Sequence, residues 1–180
     1  AIKRTTMNTQ QLQASTNAAI DYWISECEKH TLEELTARPP DGWSLGQVGI
    51  HLWMSAKGFF FKNAEKCFAN DGTQTGGSKT FSGHLVFTFK VFPPVKYKMP
   101  KQVAVEPKQP ETKEQLIAKL QEVKQMAAGY IQRMPESQPN IKIRHPFLGW
   151  LNAAEWIQLC NLHFNHHLRQ KKRIEQHFGW

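Results

Sequence analysis

The sequence is poor in cysteine. Only Cys27, Cys67 and Cys160 occur in 180 residues. They form no CxxC pair and no knuckle spacing, which excludes a zinc ribbon and a disulfide framework. Three scattered thiols read as small buried apolar residues of a protein in a reducing compartment, and the expected location is cytoplasmic. Long apolar runs are missing as well. No stretch approaches the roughly 20 residues that a membrane-spanning helix needs, and AIKRTTMNTQQ at the start lacks the apolar core of a secretory signal. Acidic residues are fewer than basic ones, 15 against 23, for a net charge of +8. The basic residues are mostly dispersed, with concentrations only at KVFPPVKYKMPK (90–101) and RQKKR (169–173). No nucleic-acid-binding signature accompanies them, so no nucleic-acid partner is expected.

What is present is a globular composition: 40% apolar residues, with eleven Phe and six Trp. The chain is long enough for one domain, residues 1–180, with a sizeable core. Apolar residues spaced by three or four predict a first helix from Thr9 to Thr36, stopped by Pro39 and Pro40. Ser44 and Gln47 read as a capping box that opens a second helix running to about Asn70. This helix is apolar over much of its circumference, and Phe60 or Phe61 is expected to face outward. Residues 78–111 read as a short helix followed by a proline-punctuated connection. Thr112 and Gln115 cap a third helix to about Arg133; Asn152 and Glu155 cap a fourth to about Phe178. The expected class is all-α, a four-helix bundle with a long crossover loop.

The fourth helix carries LHFNHHLRQ, with His163, His166 and His167 inside five positions. At roughly 100° per residue, His163 and His167 fall on the stripe of Trp156, Cys160, Ile174 and Phe178, while His166 lies at its edge. Two imidazoles at i and i+4 on a core-facing stripe need partners, because each unpaired buried group costs about 1–3 kcal/mol. A divalent metal supplies one partner to both. A hydrogen-bonded core pair and an exposed pair are the alternatives. A third ligand must come from another helix, and His51 is the candidate. Ser55 and Gly58, one and two turns on, are expected to leave a hollow beside it. His30, His84, His145 and His177 rank lower. No general base is evident, since Glu155 lies off the face of His163.

Three stretches resemble the DinB/YfiT-like superfamily of metal-dependent helical bundles: GWSLGQVGIHLW (42–53), HPFLGWLNAAEW (145–156) and HFNHHLRQ (163–170). KMPKQVAVEP (98–107) is similar to a basic segment of some members. The resemblance implies a four-helix bundle in which His51, His163 and His167 bind a divalent metal, zinc or nickel. It also implies thiol transfer or hydrolysis on a small molecule. Members active in thiol transfer often carry HHRGQ where this chain has HHLRQ. Three imidazoles would leave a coordination position open, as at a catalytic site. The expected partner is a small-molecule substrate, a thiol or an anionic compound recognised by basic residues of 90–101; an ordinary solvated loop is the alternative there. A non-catalytic metal- or ligand-binding bundle is the rival reading. Self-association as a homodimer, through the second helix or Trp180, is a further expectation.

Overall fold

The computed structural model describes residues 8–93 and 105–180. Its long elements are helical. Helix α1 (Thr9–Lys29) is capped by Asn8, whose side chain accepts from the amides of Gln10 and Gln11. The expected continuation to Thr36 is interrupted. His30 and Thr31 are extended, and α2 (Leu32–Thr36) starts afresh on a capping box between Thr31 and Glu34. Thr31 satisfies a new set of helix-start amides, which makes the break locally cheap.

Helix α3 (Leu45–Ser55) opens on the expected Ser44–Gln47 box. It passes through a π-helical turn, Ala56–Phe60, into α4 (Phe61–Ala69). The wider turn holds an extra residue and rotates every later side chain by roughly 100° relative to a uniform helix. That rotation overturns two expectations. Phe60 and Phe61 are both buried, at 5% and 0% exposure, so neither offers an outward contact for a second copy. Gly58 lies on the exposed side beside Lys57, and an added Cβ would meet nothing within 4 Å. It therefore lines no hollow next to His51.

The crossover holds β1 (Gln74–Thr75) and α5 (Phe81–Phe89), the short helix expected there. The basic stretch 90–101 and the segment 98–107 lie largely outside the described residues. The returning chain is fixed against α2 and α3. Ser44 Oγ donates to Gln109 Oε1 at 2.7 Å, Gln109 Nε2 to the Thr36 carbonyl at 3.1 Å, and Gln47 Nε2 to the Pro107 carbonyl at 2.8 Å. Helix α6 (Lys113–Arg133) follows on its Thr112 cap.

A hairpin that the helical reading did not anticipate precedes the last helix. Strands β2 (Ile141–His145) and β3 (Gly149–Leu151) pair antiparallel, with Ile143 opposite Leu151, and β1 joins the outer edge of β2. The turn needs Gly149. It has φ +83°, and a Cβ there would sit 2.6 Å from the Thr80 amide nitrogen. Helices α7 (Ala153–His166) and α8 (Leu168–Phe178) form the fourth long element, opening on the Asn152–Glu155 box.

Helix α6 packs on α1 and α3, and α7 packs on α4 and α1. Approach is close where α3 meets α6, since a Cβ on Gly49 would lie 2.8 Å from Leu116 Cδ1. The core runs through Trp23, Leu52, Phe61, Leu116, Leu120, Trp156 and Phe164. Trp23 Nε1 donates to the Phe164 carbonyl at 3.3 Å, tying α1 to α7. Cys27, Cys67 and Cys160 are buried free thiols, as the sequence suggests. Among the described residues no helix is long and apolar enough to cross a membrane.

Candidate metal centre

The packing of α3 against α7 and α8 brings His51, His163 and His167 together. The Nε2 atoms of His51 and His163 lie 3.1 Å apart, and those of His163 and His167 3.0 Å apart. One ring nitrogen from each of the three falls within 4.8 Å of the other two. His167 sits at the joint between α7 and α8, yet keeps right-handed backbone angles, φ −75° and ψ −7°. The i, i+4 relation to His163 survives the joint, because the His167 amide still bonds to the His163 carbonyl at 3.2 Å.

Aromatic groups wall the cluster. Trp43 lies 5.0 Å from the His51 ring, and the Phe60 edge meets His163 at 5.1 Å. The burial has an electrostatic effect. Burial, then the charge of His166, lowers His51 to about 4. Burial, then the neighbouring His51, lowers His167 to about 3. His163 is held well below the ordinary imidazole range by burial and then by the two rings it faces. At neutral pH all three rings are uncharged, the form in which imidazole is a metal ligand.

Gln170 was not singled out from the sequence, although it stands one helical turn after His167. Its Oε1 lies 2.8 Å from His167 Nδ1. An amide oxygen only accepts, so Nδ1 carries the proton and Nε2 presents a lone pair to the cluster. Hydrogen bonds alone then cannot satisfy the cluster. His163 Nε2 faces two other Nε2 atoms, and with at most one proton it cannot donate to both. Its Nδ1 is buried and has no partner among the described residues. A cation takes lone pairs from all three rings. With ligand bonds of about 2.0–2.1 Å, tetrahedral geometry sets ligand nitrogens about 3.3 Å apart, close to the two separations seen. The donor set therefore fits a divalent metal.

The lower-ranked histidines stand apart from this cluster. His145 Nδ1 accepts from the amides of Phe147 and Leu148, at 3.1 and 3.3 Å, and so holds the hairpin turn; burial lowers the ring to about 4. His30 lies 3.4 Å from Glu34 and against Trp180, which also stacks on Phe178. His84 and His177 are exposed. Glu155 is engaged by its cap and by Lys79.

The fold and this cluster define a helical bundle with a three-histidine centre between its helices. The chain belongs to the DinB superfamily, whose family model matches residues 13–170. Neither the curated proteins nor the solved structures contain a match to it.

Proposed function

We propose that this protein is a divalent-metal-dependent enzyme acting on a small molecule, with His51, His163 and His167 as the ligands of zinc or nickel. The observation that carries the reading is the convergence of three uncharged Nε2 atoms that cannot all hydrogen-bond to one another. When bound, the metal would supply Lewis acidity, lowering the pKa of a thiol or water for transfer or hydrolysis. The chain's own residues hold and orient. Gln170 keeps the proton on His167 Nδ1, and the rings of Trp43 and Phe60 limit water around the ligands. Three protein ligands leave the fourth position of a tetrahedral metal free, the arrangement of a catalytic rather than a closed structural site.

In the thiol-transfer version the thiol belongs to the substrate. Burial pushes Cys27 and Cys160 up to about 12 and Cys67 up to about 11, so no thiol of the chain is an accessible nucleophile. The test is metal content by mass spectrometry on protein purified without an affinity tag, beside His51→Ala and His163→Ala. The expected result is about one metal per chain, lost in both variants. No metal uptake after exposure to zinc and nickel would overturn the reading.

A further inference from the structure

A second group of side chains lies beside the three histidines and takes no part in ligation. The end of α5 brings Lys90, Val91 and Phe92 against Leu162, Asn165, His166 and Arg169, enclosing a cavity of about 50 Å³. Lys90 holds its place in a left-handed conformation, φ 52°, unusual for a residue with a side chain. Phe92 meets the edge of the His166 ring at 5.3 Å. The lining carries two full positive charges and no carboxylate. Among the described residues no ion pair engages Lys90 or Arg169, although ten contacts of that kind occur elsewhere.

A second observation points to a missing partner. Among the described residues the buried His166 Nδ1 meets no hydrogen-bond partner, and such orphaned polar atoms are rare in folded proteins. Lys90 and Arg169 bring cationic donors to the lining, and Asn165, which also donates to Asn161 Oδ1 at 3.4 Å, brings an amide. These side chains line a space that takes a small headgroup but not a whole substrate. The rings of His166 and His167 are 5.2 Å apart, which sets this lining next to the three-histidine centre.

We propose that this cavity is the subsite for an anionic group, a carboxylate or phosphate, of the substrate processed at His51, His163 and His167. The assignment rests on the proposed metal chemistry for its purpose, but not for its binding. Arg169 and Lys90 supply charge-assisted bonds to the anion, and His166 with Asn165 orients it. The substrate is thereby a small acid whose reacting atom lies a short chain away from its charge.

The test is NMR of the full chain in chelator-treated buffer, titrated separately with inorganic phosphate and with acetate, following the His166 ring nitrogens. The expected result is a saturable shift with at least one of the two anions. Arg169→Gln is expected to weaken that binding at least tenfold, and so is Lys90→Asn, which tolerates the left-handed backbone. Lys172→Gln, on the exposed side of α8, removes an equal charge and should leave binding unchanged. No saturable shift with either anion, or an equal loss in Lys172→Gln, overturns the assignment. Zinc uptake, measured beside anion binding, separates the two readings. Anion binding by a wild-type chain that takes up no zinc leaves the subsite standing and removes the metal. Zinc uptake by a chain whose anion binding ignores Arg169 does the reverse.

Discussion

Two groups of converging ligand-type side chains sit on one stripe of the last helical element, and they differ in what lies between them. His163 and His167 meet His51 nitrogen to nitrogen, and no lysine or arginine of the described residues is paired with them. One turn further on, Lys171 places its ammonium between Glu26, at 2.7 Å, and Glu175, over the Tyr22 ring. Glu26, His30 and Glu175 also form a constellation with metal-ligand spacing. That second group carries its own counter-ion. Burial raises the Glu26 carboxyl, but bonds from Lys171 and Lys29 outweigh it and hold the group below its ordinary value of 4.5. The comparison teaches that convergence alone does not mark a metal site. What distinguishes one is convergence of lone pairs with no donor to meet them.

The largest effect is expected from breaking the charged group. Lys171 is 3% exposed, and Lys171→Met leaves the buried Glu26 with Lys29 alone and takes the cation away from the partly buried Glu175. Removing one partner of a buried ion pair costs about 3–5 kcal/mol, read as a lowered urea midpoint at pH 7. The same variant sharpens the contrast, because zinc uptake should be unchanged wherever the chain remains folded. A variant that folded normally but lost its metal would show that the two groups are one site.

Next in size is the support behind a ligand. Gln170→Ala frees His167 to exchange its ring proton between nitrogens. Loss of such an outer partner weakens metal affinity about 10–100-fold, so a competition titration with a zinc chelator should shift by that factor. Gln170→Glu keeps an acceptor and should restore most of the affinity. Equal affinities in all three proteins would remove Gln170 from the site.

Much of this was legible in the sequence, for identifiable reasons. The capping residues Ser44, Thr112 and Asn152 start their helices because a side-chain oxygen three residues before a free amide is a local device, independent of the rest of the fold. His163 and His167 were placed inward by periodicity, which the joint at His167 leaves intact. Thr31 and Glu34 formed an equally readable box, but the apolar spacing ran on through it and masked the break. The π-turn at Ala56–Phe60 defeats any reading that advances by a constant angle, so Phe60, Phe61 and Gly58 were misplaced. The strands of the hairpin are too short for alternation to compete with helical context. His166 was set correctly at the stripe's edge, but its cavity depends on Lys90 and Phe92, more than seventy positions away.

A graded effect, small at each step of pH, separates the two groups. In the unfolded chain an imidazole takes up its proton near pH 6.5, whereas burial holds His145 to about 4 in the folded chain. Between those values only the unfolded state gains the proton. The contribution is therefore full above pH 6.5 and falls by about 1.4 kcal/mol per pH unit as acid is added, until the folded ring also titrates. The metal-free rings of His51, His163 and His167 act in the same direction. Glu26 behaves differently. Its folded value is below 4.5, so its stabilising contribution is intact above that pH and disappears only lower. Chelator-treated protein should lose stability in two overlapping stages: the rings begin below pH 6.5, and the charged group joins below 4.5 while His167, held to about 3, is still titrating. His145→Asn retains an acceptor for the Phe147 and Leu148 amides while removing one titrating ring. Urea denaturation between pH 6.5 and 5 should show its slope reduced by about 1.4 kcal/mol per pH unit, the difference from the parent fading below about 4 as the folded His145 ring also titrates. An unaltered slope would mean that His145 is not held neutral by burial, and that the first stage belongs to the three-histidine cluster alone.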